Sequence, residues 1–316
     1  MFHGKVSPEI AAGLKELRSR IDAANIPSSS LDETLNLATW NIREFGRKKR
    51  SEAGIHYIAE ILGQFDIISI VELRDNLEDI SRVLRILGPY WRAVYSDILP
   101  DSGGNWERIG FIYDKRAVSF SGLAAAASPS RTKKGQEYVP DFSWWRAPYM
   151  ASFSAGNFDF IIVSAHIRWG DSNAARTGEI ASFADWLRLK RAQKHVEDKD
   201  FLVTGDFNIE TKAMYKALTD TGLVAPTALQ AKEFGTNLAQ NKRYDQILHY
   251  PIYDDSFINK GGVLDFYAGS FEPLFPELEK TACTYQLSDH LPLWVQINID
   301  IDGHELDQIL QKKRRG

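Results

Sequence analysis

The chain of 316 residues is poor in the features that mark several large protein classes. A single cysteine, Cys283, leaves no intramolecular disulfide framework to hold a small, loop-rich fold together. No apolar run is long enough to span a bilayer, and the start, Met1-Phe2-His3-Gly4-Lys5, is not the apolar segment of a secretory leader. A formal net charge of -4 gives no global pull towards nucleic acid, so a polyanionic partner has to meet a local basic patch. Internal repeats and low-complexity tracts are missing too. The composition is 44% hydrophobic and 25% charged, which suits a large core in a reducing compartment. The expectation is a cytoplasmic protein with no membrane association.

Against that background one stretch stands out, Leu202-Val203-Thr204-Gly205-Asp206-Phe207-Asn208. An apolar strand breaks at a glycine and then offers a carboxylate and a carboxamide on either side of an aromatic ring. Alternation in an extended segment turns Asp206 and Asn208 together towards solvent and Phe207 into the core. Gly-Asp-x-Asn is also an ordinary turn, so the string needs company to mean more.

The rest of the chain supplies it. Ser7-Pro8 starts a helix on which Ile10, Leu14, Leu17 and Ile21 recur at helical spacing, and Ile26-Pro27-Ser28-Ser29-Ser30 ends it. Residues 1–34 therefore read as an amphipathic extension for packing or partner contact, residues 35–299 as the main domain, and residues 300–316 as a basic tail. Within the domain a strand from Leu35 delivers Asn41, and a doubly apolar strand from Asp66 to Val71 delivers Glu72. Between them, Arg47-Lys48-Lys49-Arg50 is either a solvated face or a phosphate contact. Ser102-Gly103-Gly104-Asn105 reads as a turn before a strand from Glu107, and residues 124–135 as a mobile basic loop. Trp144 and Trp145 are core or stacking candidates, with Arg146 a phosphate ligand at their edge. A strand ending at His166 and a long helix over 174–196 follow, the helix carrying Ile180, Phe183, Trp186, Leu187 and Leu189 on or near its buried side. A strand with Asp245 comes next, and Ser288-Asp289-His290 introduces the last strand. Strands and helices mix without strict βαβ alternation, which points to an α/β sandwich with mixed sheets rather than a barrel or dinucleotide fold.

Polar residues thus collect at element ends: Asn41, Glu72, Glu107, His166, Asp206, Asn208, Asp245, Asp289 and His290. With no second cysteine and no His-x-x-x-His spacing, the set does not suggest zinc. Carboxylate and carboxamide oxygens suit a hard cation, Mg²⁺ or Mn²⁺, that can also meet a phosphate. The two histidines and spare carboxylates allow two carboxylate–imidazole pairs, one to deprotonate water and one to protonate a leaving oxygen. His56, His195 and His249 carry no such context and read as structural.

These residues resemble the endonuclease/exonuclease/phosphatase superfamily, and within it the DNase I-like nucleases. The carriers are Trp40-Asn41-Ile42-Arg43-x-Phe45-Gly46, Glu72-x-Arg74-Asp75, Glu107, Arg146-x-Pro148, His166, Gly205-Asp206-Phe207-Asn208, Tyr244-Asp245 and Ser288-Asp289-His290, in the family's order over residues 35–299. The resemblance implies a four-layer α-β-β-α sandwich with the site at one end. It implies that Glu72, with Asn41 and Asp289, holds a divalent ion. It makes His290 with Asp245 the general base and His166 with Glu107 the general acid. Asp206 and Asn208 would orient water and phosphoryl oxygens, Arg146 would bind phosphate, and Arg43 and Arg74 would look towards a duplex. Two positions depart from the family pattern: Asn105 stands where a tyrosine is usual, and Gln246 where an arginine is.

The reading favoured by the sequence is a metal-dependent phosphodiesterase acting on nucleic acid, above all DNA, with no obligate protein partner. The alternative is a phosphatase or phospholipase-like relative acting on a small phosphoester or lipid headgroup. A catalytically dead binding module would have lost a ligand or a histidine, and none is missing.

Overall fold

Strands this apolar must be covered on both faces, and the fold covers them by stacking two sheets between helices. The computed structural model describes residues 1–98, 106–170, 172–230, 235–251, 260–303, 306 and 310. The expected turn at 102–105, with Asn105, lies outside the described residues, as does the basic stretch 312–315 of the tail.

In chain order the elements are α1 (Pro8–Ala23), β1 (Thr34–Phe45), α2 (Glu52–Leu62), β2 (Ile67–Arg74), α3 (Glu78–Leu87), β3 (Trp91–Tyr95) and β4 (Glu107–Asp114). Then come β5 (Ser119–Ala126), β6 (Arg131–Lys134), β7 (Glu137–Pro140), β8 (Tyr149–Ala155), β9 (Phe158–His166) and α4 (Asn173–Arg191). The remainder is β10 (Phe201–Asp206), α5 (Lys212–Thr219), α6 (Thr227–Gln230), β11 (Asp245–His249), β12 (Gly261–Val263), α7 (Lys280–Thr284) and β13 (Leu293–Asn298). One sheet runs β12-β13-β1-β2-β4-β3 and the other β11-β10-β9-β8-β5. Each is mixed: β1 and β2 are parallel in the first, β9 and β10 in the second, and the other neighbours are antiparallel.

Alternation along the strands builds the layers. Leu35 and Leu37 of β1, Ile67 and Val71 of β2, and Phe160 and Ile162 of β9 pack between the sheets. Their neighbours Trp40, Ile68 and Ile70 face α1, α2 and α3, while Ile161, Val163 and Val203 face α4 and α5. Burying each such side chain contributes about 1.5–3 kcal/mol, so three parallel clusters hold the four layers together.

The N-terminal helix is part of this packing. Ser7 caps it by accepting from the Ile10 amide at 3.3 Å, Pro8 opens it, and Leu14, Leu17 and Ile21 join the outer cluster. Arg20 is buried and donates to the carbonyls of Phe266, Tyr267 and Ser270 at 2.9, 2.7 and 2.8 Å. Glu60 of α2 accepts from Arg18 at 2.7 Å and lies 2.6 Å from His3.

Three sequence expectations change. Residues 124–135 are not a loop: β5 ends in them, and β6 then pairs with β7 as a hairpin turning at Gly135. The long helix stops at Arg191, and Leu189 is exposed. Asn41 and Glu72 sit inside their strands, which continue past them to Phe45 and Arg74.

Burial alone would raise the Glu60 carboxyl, but hydrogen bonds from His3 and Arg18 outweigh it and pull it down to about 2 from 4.5. A lowered carboxyl stabilises the fold fully above its unfolded value and loses that contribution as pH falls through the folded one. Glu60→Gln should therefore cost about 1.5–3 kcal/mol in urea unfolding at neutral pH. The deficit should shrink between pH 4.5 and about 2. An unchanged deficit across that window would show that the carboxylate's charge is not what stabilises the contact.

Candidate active site

The first half of the site is made by two breaks in strand pairing. β1 and β2 keep register through Asn41↔Val71 and resume at Phe45↔Leu73, and β2 also loses register with β4 between Ile70 and Leu73. Bulges of this kind turn a side chain out of the ladder. Glu44 and Glu72 both take left-handed backbone there, with φ of 44° and 61°. A non-glycine residue holds that conformation at a cost the neighbouring contacts must offset. Glu72 is held by the Glu44 amide at 2.8 Å and by Asn41 Nδ2 at 3.1 Å. Arg74 is buried with its guanidinium 3.6 Å from Glu72 and 3.7 Å from Glu44.

The second half is delivered by Gly205. Its φ is +120°, and a Cβ there would lie 2.0 Å from the Ala165 carbonyl oxygen. Only glycine lets β10 approach β9 this closely and bend. The pairing then sets Asp206 directly opposite His166 on one side and Asp245 on the other, so three functional side chains form a row across the sheet. Beyond it Asn208 is left-handed, with φ 50°; its amide donates to Asp206 Oδ1 at 2.9 Å and its side chain to the Ile167 carbonyl at 2.8 Å. Phe207 is buried with its ring 5.3 Å from Phe183. Asp206 and Asn208 are buried as well, facing the cavity rather than open solvent as alternation alone suggested.

Two carboxylate–imidazole pairs meet at that row. His166 Nδ1 lies 2.9 Å from Glu107 Oε1, which reaches it from the opposite sheet, and His290 Nδ1 lies 2.7 Å from Asp245 Oδ2. The outer nitrogens converge: His166 Nε2 and His290 Nε2 are each 3.9 Å from Asp206 Oδ2. Burial would lower the His290 pKa, but Asp245, Asp206 and Asp289 outweigh it and push it up to about 10. His166 is also raised, because Glu107 and Asp206 overcome burial and the Arg146 charge. Burial raises Asp245. Asn41 Nδ2 donates to Asp206 Oδ2 at 3.0 Å, linking the metal-ligand candidates of one sheet to the row on the other.

A model of the Endonuclease/Exonuclease/phosphatase family matches residues 38–290, from within β1 to His290 itself. The chain belongs to that family. It is a phosphoesterase of the superfamily by that membership. No curated protein matches the chain in sequence. Among solved structures, the human Nocturnin catalytic domain with bound sulfate has a TM-score of 0.55 at 13% identity, covering 85% of this chain and 96% of that one. Truncated Caenorhabditis elegans TDP2 gives 0.56 at 14% identity, covering 84% and 97%. Bacteroides thetaiotaomicron mannosyl-6-phosphatase gives 0.53 at 16%, covering 83% and 99%. Likeness at these identities carries the fold and not the substrate.

Of the twelve residues singled out in the sequence, eleven line one cavity of about 540 Å³, and Asp245 stands behind His290. Their surroundings differ from a bare motif reading. Arg146 pairs with Glu107, the same carboxylate that holds His166. Arg43 donates to Thr284 Oγ1 at 2.6 Å and Tyr285 Oη at 3.1 Å, and lies 3.4 Å from Asp289. Gln246, in the usual arginine position, is buried and donates to the Arg243 carbonyl at 2.6 Å.

The basic run 47–50 divides. Arg50 is buried and caps the carbonyls of Arg43, Glu44 and Lys48, bracing the bulge.

Four supports stand outside the twelve site residues singled out in the sequence. The Ser288 hydroxyl donates to the Asn41 carbonyl at 2.6 Å and accepts from the amides of Arg43 at 3.2 Å and His290 at 3.0 Å. Arg176 is buried and donates to the Trp169 and Asn208 carbonyls at 2.7 and 2.8 Å. Trp145 lines the cavity under the Arg168 guanidinium, 3.7 Å from its ring centroid. The serine was visible inside its motif and Trp145 as a core or stacking candidate; Arg168 and Arg176 lie in no pattern that composition or spacing marks.

The oxygen set fits a hard divalent cation. Glu72, Asn41 and Asp289 share the cavity wall with Asp206, and the buried Asn41 Oδ1 has no hydrogen-bond partner among the described residues. Asp206, Asp245 and His290 also form a group close enough to hold an ion.

Gly205→Ala should destabilise the protein by about 2–4 kcal/mol in chemical denaturation, since backbone and not a flexible side chain blocks the new methyl. Wild-type stability for this variant would contradict the tight β9–β10 approach.

Proposed function

We propose that the protein is a divalent-metal-dependent phosphodiesterase that hydrolyses nucleic acid, most readily DNA, at internal bonds. The observation that carries the reading is the convergence of His166 Nε2 and His290 Nε2 on one Asp206 oxygen, each imidazole backed by its own carboxylate. Phosphodiester hydrolysis needs a proton removed from water on one side of phosphorus and a proton given to the departing oxygen on the other. His290, oriented by Asp245, takes the water proton. His166, oriented by Glu107, protonates the leaving oxygen. Asp206 and Asn208 position the water and phosphoryl oxygens, and Arg146 faces the negative charge that builds on them. Mg²⁺ or Mn²⁺ held by Glu72, Asn41 and Asp289 would supply Lewis-acid neutralisation of the phosphoryl oxygens and offset the carboxylate field that keeps His290 protonated.

A polymer is supported by the cavity wall, where Arg43, Trp145, Arg168 and Trp169 offer cations and aromatic faces around the reacting centre. A second reading, a phosphatase acting on a small phosphoester or lipid headgroup, draws on Arg74. That guanidinium is buried between Glu44 and Glu72, where it steadies the metal-ligand glutamate instead of reaching a groove.

Supercoiled plasmid incubated with the protein and Mg²⁺ should be nicked and then linearised, and EDTA should stop the reaction. His290→Ala and His166→Ala should each fold normally and lose about 10²–10⁴-fold in rate. Intact plasmid together with phosphate release from small phosphoesters would replace the nuclease reading with the second one.

A further inference from the structure

The β6–β7 hairpin has no part in the chemistry above. Among the described residues its strands pair only with each other, forming a separate two-stranded sheet that falls between β5 and β8 in the chain. An isolated hairpin is marginal in water. This one is clamped at its base: Asp141 accepts from the Ser130 hydroxyl and, at 2.5 Å, from Thr132. Trp144 Nε1 and Trp186 Nε1 donate to the carbonyls of Ala127 and Ser128, both at 3.0 Å. The chain leaving the hairpin runs straight to Trp145 and Arg146 in the catalytic cavity.

Register sorts the side chains onto two faces. Arg131 lies opposite Pro140 and Lys133 opposite Tyr138, while Thr132 lies opposite Val139 and Lys134 opposite Glu137. Residues two apart and directly opposed share a face. One face therefore carries Arg131, Lys133, Tyr138 and Pro140 with no carboxylate, and the single acid, Glu137, is on the other with half-buried Val139. Tyr138 is 62% exposed. None of Arg131, Lys133 and Lys134 has an ion-pair partner among the described residues, whereas Arg43, Arg74 and Arg146 in the cavity are all engaged. Two like charges on one face of a ribbon repel each other, a cost that an anionic polymer removes.

We propose that this hairpin is a nucleic-acid-binding arm, its Arg131/Lys133/Tyr138 face holding the phosphodiester backbone outside the catalytic cavity. The proposal rests on the nuclease reading of that cavity. Arg131 and Lys133 neutralise phosphates, and Tyr138 offers a stacking face for a base.

The test measures affinity for a fluorescent oligonucleotide, single-stranded and duplex, in EDTA over a range of salt. Alongside it, turnover of the oligonucleotide and of bis-para-nitrophenyl phosphate is followed in Mg²⁺. The double variant Arg131→Ser/Lys133→Ser should bind about tenfold or more weakly. Its dependence of log affinity on log salt should be shallower by about 1.4 on single strands and about 1.8 on duplex, the loss of two phosphate contacts. Lys134→Ser, on the other face, should change both less, and turnover of the small diester should be unaltered in every variant. Unchanged affinity and salt slope in the double variant, with wild type still cutting DNA, would overturn the arm and leave the nuclease reading standing. Equal losses from Lys134→Ser would overturn the assignment of the face. Wild type that hydrolyses the small diester yet neither binds nor cuts nucleic acid would overturn the nuclease reading, and the arm with it. Variants that lose binding to phosphatidylserine vesicles but keep oligonucleotide affinity would make the hairpin a lipid contact instead.

Discussion

Three carboxylates, Glu107, Asp206 and Asp245, are each 1% exposed, and the need to satisfy them shapes everything around them. Burying an ionised carboxylate costs several kcal/mol unless a charged or hydrogen-bonding partner comes with it. Here the partners are His166 and Arg146 for Glu107, Asn41 for Asp206, and His290 for Asp245. The groups that make burial tolerable are the same groups that suit proton transfer, so stability and chemistry draw on one network. Glu107 and His166 come from different sheets, which makes that network a bolt across the sandwich as well as a site.

The sandwich in turn makes the strained end of the site possible. Glu44 and Glu72 sit in left-handed backbone at adjacent bulges, where isolated strands would relax into regular pairing. They are held because Trp40, Ile68 and Ile70 just upstream are locked beneath α1, α2 and α3, and because Arg50 gathers the carbonyls of the turn that follows. The N-terminal helix, remote from the cavity, belongs to this support through its packing on α2 and the bond set of Arg20.

Charge is distributed by role. Arg43, Arg74 and Arg146, near the reacting groups, each lie against a carboxylate, which fixes the planes of their guanidiniums. On the β6–β7 hairpin, by contrast, Arg131, Lys133 and Lys134 are exposed and have no ion-pair partner among the described residues. Paired arginines line the cavity and unpaired cations mark the hairpin, in one chain with a formal net charge of only -4.

Much of this was legible in the sequence. Period-two apolar alternation, a glycine before Asp206 and paired histidines and carboxylates near strand ends are local properties, and they led to two mixed sheets and to residues that the fold gathers around one cavity. What they could not express is anything that depends on which strands become neighbours. The row His166–Asp206–Asp245 exists because β9 and β11 flank β10 in one register, and a one-residue slip would turn each side chain to the opposite face. Arg74 and Arg50 look like surface cations in sequence, yet both are buried, since only the assembled bulge places carboxylates and carbonyls within their reach. The basic segment 124–135 looked like a loop because its side chains are small, polar and charged; main-chain pairing, indifferent to those side chains, made its start the end of β5 and its close the first strand of a hairpin. Residue chemistry determined what the site could be made of. Strand order and register, set by burial of the three apolar clusters, decided how those groups face one another.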